Sequence, residues 1–269
     1  MVIYPVNLTI LRNKRGIKMN IDFLVTMLYI YGTPAIVFFT IIFGVITIFR
    51  KDVPTKLLGV WLVTWSIANL LNYASGTVGM VLNMDNVANY LSISSVARSI
   101  LGAVGLLGLF LYAKIRYRAK GLIAIIILKL AESPLVMLFN YIWQLIAAKY
   151  DLTNDQFAFG TNIIREAVTL IVLIIIFSAY VKHSKTETDI RKMWIFPFFL
   201  VLFSIGTIGL NAYTFIMIKD NNLADITNGY YDLIELAIAD LPLIIEFIAA
   251  IYIVAKGRRP FARKKRAEK

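Results

Sequence analysis

LAIADLPLIIEFIAAIYIVA, residues 236–255, is a lipid-soluble stretch that nonetheless carries two carboxylates, Asp240 and Glu246, with Pro242 between them. About 20 apolar residues in a helix cross the ~30 Å hydrocarbon core of a bilayer, so the stretch reads as a transmembrane helix. A charge near its centre costs roughly 2.5–3.5 kcal/mol on insertion scales. Residues of that kind face a bundle interior, find a partner, and mark a pathway or a site. The rest of the chain is therefore expected to supply the other walls of that interior.

Composition agrees. Of 269 residues 59% are hydrophobic and 16% charged, against roughly 45–50% and 25% in soluble domains, so lipid is the solvent for most of this chain. The absence of cysteine removes disulfides, thiol nucleophiles and cysteine-ligated metals. The single histidine, His183, lies in the charged stretch KHSKTETD (182–189), which excludes multi-histidine metal sites and in-membrane histidine triads. No metal, cofactor or catalytic residue is expected. The formal charge of +12 is explained by basic residues bordering apolar spans rather than by nucleic acid.

Seven stretches reach spanning length: 23–49, 57–78, 92–113, 121–147, 162–181, 193–218 and 231–255. The expected fold is all-α, a polytopic seven-helix transmembrane bundle filling residues 19–255. Arg50, Lys51, Lys56, Lys114, Arg116, Arg118, Lys120, Lys182, Lys185, Arg191 and Lys192 all fall in odd-numbered loops, and eight more basic residues follow Val254. The even-numbered loops hold only Lys149 and Lys219 among several aspartates. By the positive-inside rule the C-terminus is cytoplasmic and the N-terminus outside, in a multi-pass protein of the cell membrane. The polybasic tail, residues 256–269, is expected to associate with anionic lipid headgroups. Arg12, Lys14, Arg15 and Lys18 break the charge rule. A start at Met19 would restore it, making residues 1–18 a start-site error.

Smaller signals refine the bundle. Gly102, Ala103, Gly105 and Gly108 make the third span a crowded, central helix. Trp61, Trp65, Asn69 and Asn72 form a stripe on the second, read as packing. Trp194, Pro197 and the Gly206–Gly209 pair read as anchor, kink and close contact on the sixth.

Within the membrane, Glu132 and Glu246 are expected near the midplane and Asp240 about 8 Å further out. Lys129 is placed to pair with Glu132 along its own helix, and Arg98 with Asp240. Glu246 is left with a proton, a cation or a watered cavity as its partner. Arg165 and Glu166 read as end-of-span residues that snorkel. Glu132-Ser133-Pro134 and Asp240-Leu241-Pro242 repeat an acid two residues before a proline, with a weaker echo at Pro34. Each proline strips a carbonyl, Leu130 or Ile238, of its donor beside the acid. Recurrence every ~100 residues fits the broken helices and inverted repeats of transporters.

The topology is similar to that of a microbial-rhodopsin-like or receptor-like bundle. A retinal protein needs a lysine inside the seventh helix, and none precedes Lys256 there, which excludes retinal. The expected function is a small transporter or channel passing a proton, cation or small solute, with Glu132, Asp240 and Glu246 as the site, Lys129 and Arg98 as partner charges, and Pro134 and Pro242 as kinks. The alternative is a seven-helix sensor or accessory subunit signalling through a cytoplasmic partner, with a homo-oligomer or membrane partner protein implied. An intramembrane enzyme ranks last, because no acyl- or phosphoryl-transfer motif accompanies the acids.

Overall fold

The computed structural model describes residues 27–50, 53–78, 84–113, 119–150, 152–184, 193–218 and 229–255. The two basic tails, the Met19 start and most loop lysines lie outside the described residues. Among those described the chain is all-helical: α1 (Thr33–Ile48), α2 (Val53–Val78), α3 (Met84–Ala113), α4 (Ala119–Tyr150), α5 (Asn154–Ser184), α6 (Ile195–Met217) and α7 (Gly229–Ala255). A π-helical turn, Leu28–Gly32, leads into α1. Five of them, α1, α3, α4, α5 and α6, are long and apolar enough to cross a bilayer, which is the architecture of a membrane protein. In α2 the apolar stretch Thr55–Leu71 is shorter.

The distribution of side chains points the same way. Phe38, Phe39, Leu130, Met137, Leu138, Leu145 and Ile216 are exposed, whereas Glu132, Ser66, Ser204, Thr214 and Glu246 are buried. Soluble proteins do not expose apolar surface on this scale. Five hydroxyls satisfy themselves locally, Thr40, Thr47, Thr64, Thr207 and Thr214 each donating to the carbonyl four residues back.

Contacts between neighbours set the direction of every helix. Gly44 of α1 lies against Leu62 and Val63, and Gly59 of α2 against Ile48, so α1 and α2 are antiparallel. Gly108 and Gly105 of α3 abut Leu57 and Thr64 of α2; a Cβ on Gly108 would sit 2.8 Å from the Leu57 carbonyl oxygen, so only glycine permits this approach. The crowding expected of the third span is therefore its seam with α2, and Trp61 of the aromatic stripe is sealed inside it. Among the described residues a Cβ on Gly206 would meet only Ile238, at 3.8 Å, and one on Gly209 nothing within 4 Å, so the pair is not a close contact there. Pro197 stands in the first turn of α6, where a missing N–H costs nothing, and starts the helix rather than kinking it.

Helices α4 and α5 are antiparallel through Lys129–Thr169 and the stacked Phe139–Phe157, and α5 and α6 through Ser204–Glu166 and Gln156–Phe215. Helices α6 and α7 pair through Gly206–Ile238 and Thr214–Tyr231. The first and last helices are parallel. Thr33 reaches Asp240 at one end, Phe43 stacks on Phe247 in the middle, and the Arg50 guanidinium donates to the Val254 carbonyl (3.1 Å) at the other. The main packing thus closes a ring α1–α2–α3–α5–α6–α7, with α4 lodged outside on α5 and α3. Only 11% of α4's apolar stretch is buried, against 28–39% in the other four spanning helices.

The apolar core gathers towards the Arg50 end of the ring: Leu58, Trp61 and Leu62 of α2, Leu106 to Phe110 of α3, Val172 to Ile176 of α5, Leu200 of α6, and Ala249, Ala250 and Ile253 of α7. Its buried side chains make a plug across the bundle.

Candidate functional site

The acid on α7 that carries the strongest signal is Glu246. It is 0% exposed, and among the described residues neither carboxylate oxygen has a hydrogen-bond partner. Its chain neighbours explain the burial: Ile245, Ala249 and Ala250 belong to the plug or pack on it, and Phe247 stacks on Phe43 of α1. Glu246 is thus an acid set inside the apolar plug rather than in a roomy polar hollow. It lies about 14 Å, nine residues, from the α7 end held by Arg50.

Asp240, about 9 Å further along α7, is half-buried and accepts a 2.7 Å hydrogen bond from the Thr33 hydroxyl. Thr33 follows the π turn and precedes Pro34, so Asp240 stands where α1 is irregular and where Pro242 interrupts its own helix. Irregular turns of this kind recur at functional sites. The expected partner of Asp240 was Arg98, and here the structure differs. Arg98 lies within electrostatic reach of Arg165, Glu166 and Glu132 instead, because α3 packs on α5 and α2 and not chiefly on α7.

Glu132 behaves as expected towards Lys129. The ammonium lies 2.7 Å from Glu132 Oε2 and also donates to the Thr169 hydroxyl of α5 at 3.2 Å. Glu132 is buried on the side of α4 that meets α5, whereas Pro134 is exposed, so acid and proline do not share a face on this helix. Convergence of Glu132 with Asp240 and Glu246 in one cavity is not what the packing yields. The first belongs to α4, held by α5 and α3; the other two belong to α7, held by α1, α6 and α2.

No family model, curated protein or solved structure matches this chain. The site is therefore read from its own chemistry.

Two charged residues read from the sequence as end-of-span lie well inside their helix. α5 begins at Asn154 rather than near residue 162, which puts Arg165 and Glu166 more than three turns inside it. A capping box fixes that start: the Gln156 N–H donates to Thr153 Oγ1 (3.2 Å) and the Thr153 N–H to Gln156 Oε1 (3.0 Å). The Thr-x-x-Gln signal was present in the sequence, ahead of the apolar run. Likewise α3 begins at Met84, so Arg98 sits in the middle of its helix. Glu166 accepts a long hydrogen bond from the Ser204 hydroxyl (3.4 Å) and lies within electrostatic reach of Lys129 and Arg98. The described residues hold no cluster of three or more metal-ligating side chains.

Proposed function

We propose that this chain is a seven-span transporter or channel of the cell membrane, N-terminus outside and C-terminus cytoplasmic, in which Glu246 passes a proton or a small cation through the apolar plug. The observation that carries this reading is the wholly buried Glu246 carboxyl with both oxygens unpartnered. An ionised carboxylate left alone in apolar surroundings is costly, so the group needs a proton or a cation as its counterpart. Asp240, hydrogen-bonded to Thr33 one and a half turns away, is the next polar group along α7 and serves as the outer relay. Glu132, with Lys129 as its fixed partner, has a positioning role.

The parallel run of α1 and α7 supports seven crossings, because an odd number is what brings a first and a last helix side by side in the same sense. The Arg50 end is the cytoplasmic one by the basic residues around it.

The test is flux. Purified protein in liposomes, driven by an imposed potential, is assayed with an internal pH dye and with radioactive sodium or potassium. Glu246→Gln and Asp240→Asn each abolish the flux that the unaltered chain supports, while both variants keep helical content and elute as the parent does. Unaltered flux in both variants removes the reading.

A further inference from the structure

Five buried side-chain polar atoms lack a hydrogen-bond partner among the described residues, and four of them belong to three residues: both oxygens of Glu246, Trp61 Nε1 and Ser66 Oγ. The fifth is the Thr161 hydroxyl on α5. Glu246, Trp61 and Ser66 are each 0% exposed. Nearly every buried polar group in a folded protein finds a partner, so orphans that gather on two touching helices, α2 and α7, have a common cause.

Helix register brings the three to one level. Gly44 of α1 abuts Leu62 and Val63, and Gly59 abuts Ile48. Ser66, one turn further along that stripe of α2, is therefore level with Thr40 and Ile41 of α1, and Trp61 with Val45. On the other flank of α1, Thr33 meets Asp240 and Phe43 stacks on Phe247, which sets Glu246 level with Ile41 and Ile42. Along the bundle axis Glu246 is thus level with Ser66 and within about one turn, ~5 Å, of Trp61. Lateral packing agrees, because Trp61 shares one apolar cluster with Ala249 and Ala250 and Ile245 packs against it.

Their chemistry is complementary. Trp61 offers a donor, Ser66 a donor and an acceptor, and Glu246 two oxygens. One or two waters, each making two to four hydrogen bonds, satisfy all of them. A metal cation is served poorly: hard cations take about six oxygens, the Thr40 hydroxyl already donates to the Ile36 carbonyl, and an indole N–H repels positive charge.

We propose that Trp61, Ser66 and Glu246 form a water-bridged relay through the plug, and that the species it passes is a proton and not a metal cation. This rests on the transport reading of Glu246 and narrows it. A proton arriving from the Asp240 side is taken up at the Ser66 hydroxyl as that group releases its own to the Glu246 carboxylate. The neutral carboxyl then gives a proton to water on the Trp61 side, and the indole N–H, through water, holds the carboxylate that remains. One proton enters, one leaves, and Glu246 regains its starting charge.

The test is infrared difference spectroscopy on the full chain in liposomes, titrated with pH, beside proton and sodium or potassium flux. A protonated-carboxyl C=O band is expected that Glu246→Gln removes and that moves to higher frequency in Ser66→Ala, because a carbonyl that loses a hydrogen bond stiffens. Ser66→Thr keeps the hydroxyl and restores the band. Proton flux falls about tenfold in Ser66→Ala and in Trp61→Phe, the loss of one hydrogen bond to the travelling charge, and is retained in Ser66→Thr; sodium and potassium do not pass. Should Ser66→Ala not fold, Trp61→Phe, which keeps an aromatic ring in the plug, decides. A Glu246 band unmoved by Ser66→Ala and Trp61→Phe overturns the relay even where Glu246→Gln abolishes flux. Sodium or potassium flux that Glu246→Gln abolishes overturns the assignment to a proton. Flux indifferent to both Glu246→Gln and Asp240→Asn, with the band shifting as expected, overturns the transport reading instead and the relay with it, so the two failures read differently.

Discussion

A buried carboxyl with no partner is a liability to the fold, and Glu246 turns that liability into a measurement. Replacing it with leucine removes two unpaired acceptors from the plug and is expected to stabilise the protein by about 1–3 kcal/mol in a detergent-unfolding titration while abolishing flux. Greater stability with lost activity is the mark of a residue kept for function. Lys129 and Glu132 behave oppositely. Lys129→Met leaves a buried carboxylate without its cation and costs about 3–5 kcal/mol, and adding Glu132→Leu recovers most of it, which a double-mutant cycle reads directly. That Glu132, Asp240 and Glu246 lie inside helices was legible from the residues alone, because charge in an apolar run announces itself. Their partners were not: Asp240 meets Thr33 across 207 residues of chain, a pairing that only helix adjacency decides.

Among the elements, the α2–α3 seam depends on glycine and the α6–α7 seam does not. Gly108→Leu drives a side chain into the Leu57 carbonyl and is expected to cost at least 1–3 kcal/mol of overpacking. Gly209→Ala meets no described atom within 4 Å and should raise stability by up to ~1 kcal/mol through helix propensity. Thermal melts of the two in the same detergent check the contrast. Thr153→Ala removes half of the capping box and is expected to lower stability by about 0.5–2 kcal/mol. Seven helices could be read from hydropathy because each carries an apolar run. Their starts could not, since α3 and α5 begin in polar sequence ahead of the apolar run. That shortfall of eight residues on α5 is what made Arg165 and Glu166 look peripheral. The glycines of α3 were readable as a contact face, whereas the Gly206–Gly209 pair shows that small-residue spacing does not name its neighbour.

For the whole molecule, the chain's lack of cysteine makes topology directly testable. A single cysteine placed at Ser184, at the end of α5, is expected to react with a membrane-impermeant maleimide only after cells are opened. One at Thr153, at the start of α5, should react in intact cells; the reverse pattern inverts the orientation. Ring order was beyond hydropathy, because the membrane imposes burial on every helix alike and only side-chain fit chooses neighbours. The fit that closes this ring joins the oldest helix to the youngest. Thr33 and Arg50 meet partners synthesised more than 200 residues later, at roughly 5–20 residues per second an interval of about 10–40 s. During that wait the nascent assembly is a horseshoe with its gap facing lipid, and the segment bearing Glu246 is the piece that shuts it. The acid and the helix contact that confines it therefore arrive together.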